Sequence, residues 1–106
     1  MLIYKLCAGG RQKVVPLPDK KTIGEQLHQL QEQVGGPIET VRIFADNDMT
    51  ALVNEEGLLR GLPENECIPG LLGDVIIVGV EDDRLIGLTS LQIAKCLQLF
   101  RKGVNS

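Results

Sequence analysis

Asn54-Glu55-Glu56-Gly57 sets an amide and two carboxylates on consecutive residues and closes them with a glycine. Oxygen donors in that order suit a weak divalent-cation site or a charged tip offered to a partner. Turn chemistry explains the same positions, because Asn bonds its own backbone and Gly supplies a positive φ. Asn65, in Gly61-Leu62-Pro63-Glu64-Asn65, has a similar double reading. Its amide either meets a ligand in the loop from 57 to 73 or satisfies the backbone of that loop. Asp74 adds a carboxylate, and Glu55, Glu56 and Asp74 are the acidic set a hydrolase would use. No base, nucleophile and orienting group accompany them. The chain is therefore expected not to be an enzyme, with no catalytic residue, metal or cofactor, and with Asn54, Glu55, Glu56, Gly57, Asn65 and Asp74 as binding residues.

The other chemistry-bearing residues are poorer candidates. Asp46-Asn47-Asp48 begins like a calcium loop but lacks the following Gly and the terminal Glu at the required offset. Glu81-Asp82-Asp83 reads as a solvated turn. His28 lacks the orienting partner that a base or ligand needs. Cys7, Cys67 and Cys96 are odd in number, widely spaced and without a CxxC pair, so inert thiols in a reducing compartment are expected. The glycine pairs match neither GxGxxG nor a phosphate loop, and Gly35-Gly36 follows a helix rather than opening one.

These residues need a frame. Leu2 to Cys7 reads as a strand closed by Gly9-Gly10, and Gln12 to Leu17 pairs back on it as an edge strand, since Pro16 and Pro18 cannot donate to a ladder. Thr22 and Glu25 have capping-box spacing. Ile23, Leu27, Leu30 and Val34 then form an apolar helical stripe, with Gln26, Gln29, Glu32 and Gln33 opposite. Gly35-Gly36-Pro37 stops that helix. Ile38 to Phe44 and Met49 to Asn54 read as a hairpin around 46–48. Leu58 to Gly73 is irregular, with one short helical turn at most. Val75 to Gly79 is continuously apolar, as a strand buried on both faces is, and Arg84 to Ile86 returns beside it. Thr89 and Gln92 form a second capping box, opening a helix with Ile93, Leu97 and Phe100 inward and Cys96 beside them; Gly103 ends it and 104–106 fray. The expectation is one α+β domain over 1–106, an antiparallel or mixed sheet of about five strands with two helices packed on it.

Composition narrows the function classes. With no Trp, one Tyr and two Phe, the core must be aliphatic and there are few platforms for stacking bases. A net charge of −3 with both signs interleaved argues against nucleic acid, which requires a clustered basic face. No apolar stretch is long enough to span a membrane, and no signal peptide opens the chain, so the cytoplasm is the expected location.

Six blocks follow one another in order: Gly35-Gly36-Pro37-Ile38-Glu39, Ala51-Leu52-Val53-Asn54-Glu55-Glu56-Gly57, Gly61-Leu62-Pro63 with Asn65, Gly73-Asp74-Val75-Ile76, Ile77-Val78-Gly79 and Leu88-Thr89. Through them the chain, from Gly35 to the C-terminal helix, resembles domain of unknown function family 3846. The resemblance implies a mobile-element setting, phage or plasmid, and brings no activity. The expectation that follows is a small non-catalytic interaction protein that modulates a host protein or defence system. Its partner is a host or element-encoded protein, and a homodimer is compatible with this. The alternative is a small-ligand or nucleotide-signal binder with its pocket in the 57–73 loop.

Overall fold

The computed structural model describes residues 1–20 and 22–100. Along the chain come β1 (Leu2–Leu6), β2 (Gln12–Pro16), α1 (Ile23–Val34), β3 (Ile38–Val41), β4 (Met49–Asn54), β5 (Val75–Glu81), β6 (Arg84–Ile86) and α2 (Ser90–Leu99). The expected α+β class is the one found. The sheet has the order β2-β1-β5-β4-β3 with β6 also on β5, and every pairing is antiparallel. Gly79 pairs with Met49 of β4 and with Ile86 of β6, while Ile77 pairs with Ala51 of β4 and Tyr4 of β1. β1 and β6 therefore share one edge of β5, end to end. The edge expected from Pro16 is the outer position of β2.

Side chains alternate across the sheet, and each face carries one helix. On one face Ile3, Leu52, Ile76 and Val78 pack with Leu30 and Val34 of α1. On the other, Tyr4, Leu6, Ala51, Val53, Val75 and Ile77 pack with Cys96 of α2, with Ile93 and Phe100 against them. Val75, Ile76, Ile77 and Val78 are wholly buried, so β5 is shielded on both faces as its unbroken apolar run implies. Each contributes about 1.5–3 kcal/mol relative to an exposed side chain.

The three aromatic residues meet on the α2 face. Phe100 stacks on Tyr4 (centroids 6.3 Å apart, planes at 24°) and meets Phe44 edge-on (6.3 Å, 79°). The Tyr4 hydroxyl donates to Gln12 Oε1 at 2.6 Å, and Gln12 Nε2 donates to the Phe100 carbonyl. The N-terminal half of α2 is fastened separately. Its capping box is complete, Gln92 Nε2 also donates to Asp48, and Lys95 Nζ lies 2.8 Å from Asp46 Oδ2. That contact holds the Asp46 carboxyl below, and the Lys95 ammonium above, its ordinary pKa. The 46–48 turn thus anchors a helix.

Several sequence expectations are corrected. β3 ends at Val41 rather than Phe44, although Phe44 still reaches the core. The α1 stripe is turned: Ile23 is 79 % and Leu27 41 % exposed, whereas Gln29 is 7 %. Three glutamines face inward, where the neighbouring segments present polar groups. Gln26 donates to the Leu85 carbonyl, Gln29 to the Pro18 carbonyl, and Gln33 accepts from Lys5. On α2, Leu97 is 52 % exposed, so the inward line runs through Ile93, Cys96 and Phe100. Thr22 caps the Glu25 amide, but the Glu25 carboxylate accepts from the Thr22 hydroxyl, so only half of the first capping box forms. The expected Gly103 stop and 104–106 lie outside the described residues. Among the described residues no helix is long and apolar enough to cross a membrane.

Candidate functional site

The pairing registers bring the predicted site residues to one end of the sheet. Leu52 faces Ile76 and Leu6 faces Val75, so Asn54 at the exit of β4, Asp74 at the entrance of β5 and the exit of β1 lie level. The 55–73 segment closes over that end, which carries Asn65 there too. Residues twenty apart in sequence are thus gathered, but their polar groups are turned onto backbone.

Asn54 is 4 % exposed. Its Nδ2 donates to the Val34 carbonyl at 3.1 Å and its Oδ1 accepts from the Glu56 amide at 2.8 Å. The first bond satisfies one of the carbonyls that every helix leaves open at its C-terminus. Arg60 supplies another, with Nη1 2.8 Å from the Gly35 carbonyl. A Cβ on Gly36 would stand 2.9 Å from Asn54 Nδ2 and 3.2 Å from Arg60 Nη1, so only glycine admits both side chains. Gly57 is corrected: it does not take a positive φ. It is required by close approach instead, since its Cβ would lie 3.2 Å from that of Leu72.

Asn65 is 1 % exposed. Its Nδ2 donates to Leu6 and Gly73 carbonyls, both at 2.9 Å, and its Oδ1 accepts from Cys67 and Ile68 amides at 2.8 and 3.1 Å. All four hydrogen-bonding positions of the amide are filled. Asp74 Oδ1 accepts from the Ala8 amide at 2.9 Å, while Oδ2 lies 3.7 Å from Lys5 Nζ. Of the predicted residues, Glu55 is exposed and Glu56 half-buried. His28 does have a carboxylate four residues on, Glu32 at 3.9 Å, but both are exposed. Among the described residues no group of three His, Cys, Asp or Glu is arranged to hold a metal ion.

The thiols are similarly enclosed. Burial pushes the Cys96 thiol up to about 11, with the Lys95 charge pulling weakly the other way, and burial also raises the Tyr4 phenol beside it. Because the thiolate is the reactive form, Cys96 is inert near neutrality. Cys67 is buried and Cys7 half-buried. Native protein at pH 8 should take up one equivalent of a thiol reagent, at Cys7, and the other two only in denaturant. Equal labelling of all three in the native state would show that this core opens readily.

A family model described as Domain of unknown function (DUF3846) matches residues 8–101. The chain belongs to this family. The match begins well before Gly35, so it takes in β2 and α1 as well as the blocks read from sequence. No curated protein and no solved structure matches the chain.

At the same sheet end this DUF3846 chain also leaves two large apolar residues exposed. Leu58 and Leu59 are 84 % and 90 % exposed on a turn held by backbone hydrogen bonds on either side of them. Gly57 N donates to Asn54 O, Arg60 N to Glu56 O, Gly61 N to Leu58 O and Leu62 N to Gly57 O. Gly61 has the positive φ that closes it. Sequence reading fixed on the carboxylates and passed over these leucines. The available signal was two large apolar residues between Gly57 and Gly61, where no strand or helix could bury them.

Proposed function

We propose that this DUF3846 chain is a non-catalytic protein-binding module whose principal contact is the Leu58-Leu59 tip. The observation that carries this is two adjacent leucines, 84 % and 90 % exposed, on a turn braced by Asn54, Arg60 and Gly57. Single exposed leucines are ordinary. An adjacent pair on a braced backbone is different: the cost of ordering that backbone has already been met by folding, so burial against a partner converts more fully into affinity. Glu55 beside the pair and Arg60 after it supply the polar rim usual around such anchors. The two buried amides at this sheet end, Asn54 and Asn65, are spent on backbone, which weighs against chemistry there.

The partner is a host protein or one encoded by the same mobile element, phage or plasmid, and the binding modulates that partner or a defence system. Family resemblance supports this setting. An odd number of cysteines without a CxxC pair supports a reducing compartment, the cytoplasm.

Leu58→Asp/Leu59→Asp tests the reading. Both side chains are outside the core, so the midpoint of thermal unfolding should stay within a few degrees. The proteins captured from host lysate by tagged wild type should be lost, with affinity for the identified partner down at least 100-fold, on the scale of two buried anchors at about 1.5–3 kcal/mol each. A captured set identical for wild type and variant sinks the proposal.

A further inference from the structure

At the opposite end of α1 from the leucine tip, a groove of about 490 Å³ separates the helix from β6. Ile23 and Leu27, the residues turned out of the core, form its helical wall, and Leu85 is on the strand side. The Leu85 carbonyl on this wall is taken by Gln26 Nε2 at 3.2 Å, so the lining joins aliphatic side chains with the polar Thr22 and Gln26. Charge is inverted relative to the chain as a whole. Against a net charge of −3, the charged lining of the groove is Lys20 and Arg84 against Asp83.

We infer that this groove docks an acidic amphipathic peptide segment of a partner protein. The apolar walls take large aliphatic side chains, and Lys20 and Arg84 meet carboxylates on the flanks of the segment. Ile23, Leu27, Asp83 and Arg84 in its lining are all exposed, so the groove is a surface cleft rather than an enclosed ligand pocket. A helix laid in a groove needs only one face covered. Two cations and no aromatic ring make nucleic acid a poor occupant.

A random dodecamer peptide library selected on the immobilised full chain tests this. Enriched sequences should carry two or three large apolar residues at helical spacing with an excess of Asp and Glu. The best enriched peptide, made synthetically, should bind about tenfold more weakly to Arg84→Glu, the scale expected for reversing an exposed ion pair. Leu27→Asp should weaken it about 100-fold. Leu58→Asp/Leu59→Asp should leave it within twofold, which separates this site from the leucine tip. Residues 27 and 84 are exposed, so circular dichroism and thermal unfolding of the variants should match wild type. Absence of enrichment, enrichment of basic or uncharged sequences, or binding that survives Leu27→Asp overturns the inference.

Discussion

Asn65→Ala is expected to lower the unfolding free energy by about 3–5 kcal/mol, read as a fall in the urea midpoint at unchanged slope. The substitution removes little volume. Its effect comes from four backbone groups, the Leu6 and Gly73 carbonyls and the Cys67 and Ile68 amides, that lose their partner inside the fold. Each unsatisfied buried group costs roughly 1–3 kcal/mol, and partial entry of water keeps the sum below the maximum. Domain stabilities are typically only 5–15 kcal/mol, so this one amide accounts for a large share. Asn65→Asp should be nearly as damaging, because it keeps the acceptor but sets an oxygen against two carbonyls. A loss below about 1 kcal/mol in Asn65→Ala would mean that the 57–73 segment is held by something other than Asn65.

Phe100→Ala is the second large effect, about 2–4 kcal/mol, below the full range for a buried Phe because Phe100 is only partly covered. It removes the contacts to Tyr4 and Phe44 that hold the C-terminal half of α2. Of α2's own residues only Cys96 is fully buried. The loss should therefore be local first. Amides of α2 should exchange faster than those of β4 and β5, by more than the fall in global stability allows. Phe100→Leu should retain over half of the protection. Unchanged exchange across α2 would shift its anchorage to the Asp46 and Asp48 contacts.

The parts of the fold legible in sequence are those fixed by local chemistry. Thr89 and Gln92, Gly35-Gly36-Pro37 and the unbroken Val75-Ile76-Ile77-Val78 run each specify a boundary or an environment on their own. The rotation of α1 was not legible. Apolar periodicity chose Ile23 and Leu27, but the opposing wall presents carbonyls at Pro18 and Leu85, and amide side chains with aliphatic stems serve it better. Nothing near residue 26 or 29 encodes what residue 85 offers. The candidate site was half legible for the same reason. Asn54, Asn65 and Asp74 stood out because polar residues in turns are conspicuous, and they do assemble at one sheet end. Their partners are backbone atoms of Val34, Leu6, Gly73 and Ala8, which no side-chain pattern announces. The β5–β6 turn was read as charged, but not as one in which Asp82 and Asp83 both have positive φ, 50° and 62°, a conformation hairpins usually give to Asn and Gly.

The central place of β5 has a consequence for how the chain is assembled. The β1–β2 and β3–β4 hairpins are local, but no strand of one pairs with a strand of the other; in the sheet they are joined through β5, by pairs such as Tyr4 with Ile77 and Leu52 with Ile76. During synthesis the first seventy residues hold two ribbons and a helix without a shared sheet, and isolated two-stranded ribbons are marginal in water. Closure waits for 75–81 to emerge, and then ties ends more than seventy residues apart, which slows folding relative to a locally wired domain. The molecule is thus built around a keystone that arrives late.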